Sequence, residues 1–281
     1  MVKLSIKNIC KHYKNFDIDN VSFDIPDGMV VGLIGENGAG KSTIIKSILG
    51  AVHMDKGEIL FNGISTEKLT DEQRQKIAFV FDDVALPADL DMTALNVVLS
   101  KIYRNWDGKK FRSLLSQFNL PPDKPFGAFS KGMKMKAALA VAFSHDSELL
   151  ILDEPTSGLD PVVRDEILSL LYDYNQQGDR SVLLSSHITS DLEKICDYIV
   201  YIHNGKVVFS EEKDTLLRKY SVYSLTDEQL KEIPAHAVVR VLRRNYGTDV
   251  LALRENMPET FVSKNISLDD IMLFYSKGET V

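Results

Sequence analysis

The 281-residue sequence has little cysteine, no long apolar run and a shortage of positive charge. Its two cysteines, Cys10 and Cys196, allow neither a disulfide framework nor the ligand spacing of a structural zinc site. No stretch approaches the roughly 18 apolar residues of a membrane-spanning helix. The longest apolar run near the middle, Ala137 to Phe143, is too short to span. The opening residues, Met1 to Lys7, alternate like a strand and lack the apolar region of a signal peptide. The expectation is a cytoplasmic chain, with any membrane role supplied by a partner. Lysine and arginine number 33 against 40 acids, a net charge of −7, which argues against sequence-independent nucleic-acid binding. There is no internal repeat and no low-complexity segment. The remainder, 44% apolar and 26% charged, is ordinary for a soluble globular protein of one large domain or one large and one small.

The strongest signal is residues 35 to 43: Gly35, Glu36, Asn37, Gly38, Ala39, Gly40, Lys41, Ser42 and Thr43. They fit the phosphate-binding pattern G-x-x-x-x-G-K-[ST]. The apolar run Val30 to Ile34 precedes them as a short buried strand, and Thr43 to Leu49 follows at helical spacing. Strand, glycine loop and helix together are the context that the pattern requires. The loop turns backbone N–H groups toward phosphate oxygens, and the helix start adds partial positive charge. Lys41 is placed for the β and γ phosphates, and the Ser42 hydroxyl for Mg²⁺.

Leu149 to Leu152 form a second apolar strand, with Asp153 and Glu154 at its carboxyl end. In a phosphate-loop protein the first acid orders Mg²⁺, and the next is placed to polarise an attacking water. Ser181 to Ser186 is another buried strand, closed by His187, which is either a packing residue or a γ-phosphate contact. Ile77 to Phe81 is a strand ending at Asp82 and Asp83, carboxylates that either face the ligand crevice or are simply solvated. Ser130 caps a helix running through Phe143, and the lysines at its start oppose the helix dipole unless an anion docks. Tyr13 lies in a charged segment between two strands, either as a packing residue or as a ligand contact. Between about 88 and 128 the spacing becomes helical, with breaks at Asp107-Gly108 and Pro121 to Pro125. Asn62-Gly63 and Asn204-Gly205 read as hairpin turns. Beyond about 220 come short alternating runs, a turn at Asn245-Tyr246-Gly247 and a final Ser267-capped helix from Leu268 to Tyr275. No chemical constellation appears in this last stretch, which reads as a packing, dimer or regulatory element.

With these motifs placed, residues 3 to about 215 resemble the ATP-binding subunit of a bacterial ABC transporter. The phosphate loop, Ser130-Lys131-Gly132-Met133, Leu149 to Pro155, Ser157-Gly158-Leu159-Asp160 and Ser185-Ser186-His187 stand in the family's order and spacing. Phe129 to Lys134, with Asn105-Trp106-Asp107, looks most like exporter subunits expressed apart from their membrane partner, nearest to those handling bacteriocins, other peptides or drugs. The resemblance implies an α/β, P-loop NTPase fold: a mainly parallel core sheet, an antiparallel β subdomain and a helical subdomain at about 84–145. Domain limits of 1–220 and 221–281 follow, the second a small α+β appendage.

The resemblance also implies roles. Tyr13 would stack on adenine; Lys41, Ser42 and Thr43 would hold phosphates and Mg²⁺; Asp153 would support the metal through water. Glu154 is the implied general base and His187 the γ-phosphate switch. Ser130 and Gly132 would contact ATP held by an opposite subunit, and Asp160 would bridge the two. A homodimer or heterodimer of ATPase subunits is thereby implied, with a transmembrane permease as further partner, a peripheral place on the cytoplasmic face of the membrane, and no nucleic acid. Three positions depart from the family pattern. Asp82 (or Asp83 in the alternative register) stands where glutamine is usual; with Ser42 and Asp153 it is an implied metal-facing residue, since a carboxylate can still face Mg²⁺, but its shorter side chain and its repulsion of the γ phosphate without metal put tight hydrolytic coupling in question. Lys131 replaces a glycine, adding a phosphate contact or merely lining the dimer interface, and Met133 replaces a common glutamine. A non-transport ABC ATPase and a weakly hydrolysing regulatory subunit are the competing functions. The single ATPase unit, the short stretch between 82 and 129 and the acidic balance disfavour ribosomal and DNA-repair types.

Overall fold

Three strands buried along their whole length set the frame. Val30–Ile34, Leu149–Asp153 and Ser181–Ser186 are apolar or small at every position but the terminal Asp153, the signature of parallel strands covered on both faces. In the computed structural model they lie inside a six-stranded sheet ordered Lys206–Glu212, Tyr198–His203, Val30–Ile34, Ser181–Ser186, Leu149–Asp153, Ile77–Val80. All neighbours pair in parallel except the edge hairpin of Tyr198–His203 with Lys206–Glu212. The structure describes residues 1–176, 178, 180–244 and 247–279; Asn245 and Tyr246 of the expected turn lie outside them.

Because successive side chains point to opposite faces, this sheet serves two cores. Val31, Leu33, Leu149, Ile151, Leu183 and Val200 face helix Lys41–Ile48 and the second sheet. That sheet is antiparallel, ordered Phe16–Pro26, Val2–Tyr13, Lys56–Phe61, Ile64–Ser65. Its buried residues alternate with exposed ones, as a sheet with one solvated face requires. Val30, Leu150, Leu152, Val182, Leu184 and Tyr201 face the other way, against the helices.

The helical insert holds Met92–Ile102 and Gly108–Gln117, started by the caps Asp91 and Asp107. Phe111, buried completely, and Leu115 seat the second of these in the core. Helix Lys131–Phe143 packs beneath, with Ser130 accepting a hydrogen bond from the Met133 N–H, as its sequence predicts. The hairpin turns at Asn62-Gly63 and Asn204-Gly205 both adopt positive φ.

The C-terminal stretch contains a three-stranded antiparallel sheet, Tyr220–Leu225, Gly247–Leu253 and Val238–Arg244, and a last helix, Leu268–Lys277. It has a small core of its own around Tyr223, Leu225, Val241 and Val250. The last helix, however, buries Leu268, Ile271 and Phe274 in the same cluster as Leu192, Ile199 and Tyr201 of the main sheet side. The Glu193 carboxylate accepts from the Leu268 N–H at 2.6 Å, and the Tyr201 hydroxyl lies 3.1 Å from that of Ser276. Packing therefore joins the last helix to the main-sheet side of the chain.

Candidate functional site

The parallel registers bring the expected groups to one edge. Ile34 pairs with Ser186 and with Tyr201, and Asp153 pairs with Ser185. The phosphate loop, Asp153-Glu154 and His187 thus leave the sheet at the same level, at the carboxyl ends of its strands, where open α/β sheets bind ligands.

The loop is shaped by close approach. A Cβ on Gly35 would lie 2.4 Å from the Ile202 carbonyl oxygen. Gly40 has φ of 111°, and a Cβ there would lie 2.4 Å from Ile18 Cδ1 and 3.0 Å from the Phe16 ring. Ala39 is buried; its N–H donates to the Glu36 carbonyl and its own carbonyl accepts from the Gly205 N–H. Asn37 and Gly38 stay exposed at the tip. Helix Lys41–Ile48 starts at Gly40 with no side-chain cap and no acid in its first turn, so its first N–H groups are left for an anion. Ser42 is exposed and Thr43 half-buried.

Lys41 is buried, and its ammonium is already engaged. It donates to the Gly35 carbonyl at 2.7 Å and the Glu36 carbonyl at 3.3 Å, and lies 3.4 Å from Glu154 Oε1. His187 Nδ1 donates to the other oxygen of that carboxylate at 2.6 Å, and the His187 N–H at 3.3 Å. Glu154 therefore bridges the cation of the phosphate loop and the histidine of the neighbouring strand. It does so from φ of 53°, a left-handed conformation uncommon for glutamate. Such conformations cluster where the surrounding structure holds a residue for function.

Ser185 holds this turn, a role that the sequence did not assign to it. Its hydroxyl donates to Asp153 at 2.6 Å, while its oxygen atoms, hydroxyl and carbonyl, both accept from the Glu154 N–H. A further network lies behind it: Thr156 donates to buried Asp191 at 2.7 Å, and Arg164 pairs with the same carboxylate at 2.6 Å. It joins the loop after Glu154, helix Pro161–Asn175 and helix Thr189–Ile195. Asp191 and Arg164 carry only the generic signal of paired charges 27 residues apart.

Tyr13 ends strand Val2–Tyr13, 44% exposed, opposite Phe16. The strand end is braced by Asp55, which accepts from the His12 N–H at 2.7 Å and from Lys11 at 3.0 Å. These bonds, the His12 N–H first, hold the Asp55 carboxyl well below the usual carboxylate range. The Lys11 ammonium lies 5.8 Å from the Tyr13 ring centroid. Tyr13 thus offers an open aromatic face on a fixed strand.

Ser130, Gly132 and Asp160 form a separate group. A Cβ on Gly132 would lie 2.8 Å from Val163, in the helix that Asp160 caps through the N–H groups of Val162 and Val163. Among the described residues no hydrogen bond or ion pair joins Ser130–Gly132 to the phosphate loop, Glu154 or His187. Asp82 pairs with Lys131 at 2.6 Å.

The donors suit a nucleotide with a hard divalent cation. No group of three or more His, Cys, Asp or Glu that could hold a metal occurs among the described residues. Mg²⁺ takes few protein ligands and relies on phosphate oxygens and water, and an exposed Ser42 with a fixed Asp153 meets that pattern. A cleft of about 590 Å³ lies instead in the appendage, near Val222, Thr226 and Phe274. Its Lys264 donates to Ser224, and Ser224 to Asp249, so its polar groups satisfy one another. No helix among the described residues is long and apolar enough to cross a membrane.

Comparison with known proteins gives the same picture. The family model described as ABC transporter matches residues 18–157. The lantibiotic transport ATP-binding protein SrtF of Streptococcus pyogenes is 34% identical over 215 residues, 75% of this chain and 91% of its own. The ABC-type transporter ATP-binding protein EcsA of Bacillus subtilis is 34% identical over 242 residues, 83% of this chain and 95% of its own. Among solved structures, an ATP-binding subunit of an ABC transporter superposes with a TM-score of 0.70 at 31% identity, over 78% of this chain and 92% of its own. A dimeric ATP-binding cassette in a post-hydrolysis state with ADP and Pi superposes with a TM-score of 0.65 at 25% identity, over 74% and 98%.

Proposed function

Because this chain belongs to the family of ABC transporter ATP-binding subunits, an ATPase family, we propose that it is the motor of an exporter, working as a dimer that closes around ATP. The observation that supports this most is that the expected site residues fall into two groups on one chain. Lys41, Glu154 and His187 are linked to one another, while among the described residues no bond joins Ser130, Gly132 and Asp160 to them; in this reading the second group completes another chain's site. The dimer partner is a second copy or a related ATPase subunit.

In this reading Lys41 and the loop N–H groups bind the phosphates, and Tyr13 stacks on the base. Ser42 and Asp153 would hold Mg²⁺, which would draw charge from the phosphates. Asp82 is engaged by Lys131 and has no part in holding the metal in this reading. Glu154 takes a proton from the attacking water, having given up Lys41 to the nucleotide. His187, bonded to the same carboxylate, orients that base and senses the terminal phosphate.

The membrane partner is a separate permease, met on the cytoplasmic face. Phe79 on the edge strand is 53% exposed, and Val97, Val98 and Ile102 on the insert helix are 40 to 57% exposed. Gln75 donates to the Ile102 carbonyl at 3.3 Å, tying helix end to strand start. An apolar surface of this kind suits a cytoplasmic segment of the partner. The name of SrtF favours a peptide of the lantibiotic kind as cargo.

The test is the Glu154→Gln chain with ATP, examined by size-exclusion chromatography with light scattering, beside phosphate release by the parent. A nucleotide-trapped dimer and measurable parental turnover are expected. A monomer at saturating ATP sinks the motor reading. Turnover that is undetectable in the parent, with a dimer in the variant, favours the weakly hydrolysing regulatory reading instead, toward which the engagement of Asp82 by Lys131 points. Export is tested by co-expression with the neighbouring membrane protein and by resistance to antimicrobial peptides.

A further inference from the structure

The acid in the loop after the edge strand and the lysine that opens helix Lys131–Phe143 face each other. Lys131 Nζ lies 2.6 Å from Asp82 Oδ1, with both side chains nearly half exposed. A Cβ on Gly158 would lie 3.4 Å from the same ammonium. The cation thus stands among three segments: the loop after Ile77–Val80, the Ser130-capped helix start and the turn leading into Asp160. Among the described residues no other acid pairs with Lys131 and no other cation pairs with Asp82. Both residues occupy places where the family pattern has neutral ones, and 49 positions of sequence separate them.

An exposed ion pair is weak and screened by salt, because water solvates both partners nearly as well apart. An ammonium against a phosphate inside a water-excluded interface gains far more. Lysine suits that target, being a compact charge on a flexible stem that can swing between partners. Its neighbours Ser130 and Gly132 are the residues that the dimer reading aims at the opposite subunit's nucleotide.

We propose that Lys131 is a positioning group for the terminal phosphate of ATP held by the opposite subunit, and that in the free chain Asp82 keeps it in reserve. Closure of the dimer moves the ammonium from Asp82 to phosphate, leaving the carboxylate to water. ADP, without the terminal phosphate, gives the ammonium nothing to move to, so the exchange discriminates triphosphate from diphosphate. The inference rests on the dimer reading above and deepens it.

The experiment uses the full chain carrying Glu154→Gln, titrated with ATP and with ADP and followed by sedimentation velocity. Asp82→Asn is expected to lower the ATP concentration at half-dimerisation by about two- to fivefold, the range of an exposed ion pair. Lys131→Gln is expected to raise it by about tenfold, the range of a charged hydrogen bond. With Lys131→Gln in place, adding Asp82→Asn should change nothing, and ADP should dimerise none of the variants. An Asp82→Asn effect of equal size with and without Lys131 means that Asp82 acts directly on nucleotide or metal, and overturns the proposal. So does a Lys131→Gln chain that dimerises like its parent. A parent that binds ATP without dimerising removes the dimer reading and this inference together, whereas a dimerising parent with insensitive variants removes only the role of Lys131.

Discussion

The carboxylate of Glu154 is shared: one oxygen receives His187 Nδ1 at 2.6 Å, and the other lies 3.4 Å from the Lys41 ammonium. In the free chain the proposed base is thus neutralised by the lysine that the nucleotide needs, and its orientation is kept by the histidine. Replacing His187 by alanine should leave ADP binding nearly intact, because the side chain is exposed and the loop contacts do not involve it. The turnover number should fall by about ten- to a hundredfold, the worth of a hydrogen bond to a charged group. Steady-state phosphate release checks this. A rise in KM with an unchanged turnover number would place His187 in binding instead.

Gly40→Ala tests the shape of the loop. The new methyl group meets Ile18 at 2.4 Å in a backbone conformation hostile to alanine. The expected loss is about 1–3 kcal/mol of stability from strain and crowding. Nucleotide affinity, followed with a fluorescent ATP analogue, should fall more than the melting temperature suggests, since the chain can relieve the clash only by moving the loop.

His145 gives the fold a pH dependence. It is 5% exposed, stacked on Tyr103 at 4.3 Å, and burial pushes it down to about 4. Its Nδ1 has no partner among the described residues. An unfolded chain takes up a proton here from about pH 6.5 downward, and the folded chain only near pH 4. Stability contributed by the neutral ring is therefore complete above pH 7 and is lost progressively down to about pH 4, by roughly 3 kcal/mol in all. Urea unfolding at pH 5 and pH 8 should show the difference, and His145→Phe should reduce it.

Phe274→Ala asks whether the C-terminal helix belongs to the cassette. Phe274 is 2% exposed and lies in the core cluster that contains Leu192 and Tyr201. The expected cost is about 3–5 kcal/mol. Unfolding should remain a single transition, shifted as a whole. Two separate transitions would show that the appendage folds alone.

What the sequence made legible is local. Gly40-Lys41-Ser42, the Ser130 cap and the Asn-Gly hairpins are each specified within a few residues, and the structure has all of them. The three buried strands were legible because burial on both faces removes alternation. What stayed hidden is long-range. Ser185 meets Asp153 across 32 positions, Asp55 meets His12 across 43 and Glu193 meets Leu268 across 75. Serine, aspartate and glutamate are common surface residues, and only the fold gives these their partners. The same holds for Asp82 and Lys131, which the sequence marks one at a time and only the structure pairs. The docking of the last helix was hidden for another reason: its amphipathic face predicts burial without naming the surface that receives it.

Lys41 is never bare. Before any nucleotide arrives it is satisfied by Gly35, Glu36 and Glu154. Loading this chain is consequently an exchange reaction, and a measured dissociation constant reports the difference between two sets of partners. A substitution that weakens the resident set, such as one removing the Glu154 charge, can tighten ATP without adding any contact to it. Affinity and turnover then move in opposite directions, and tight binding in a variant is no sign of a better motor.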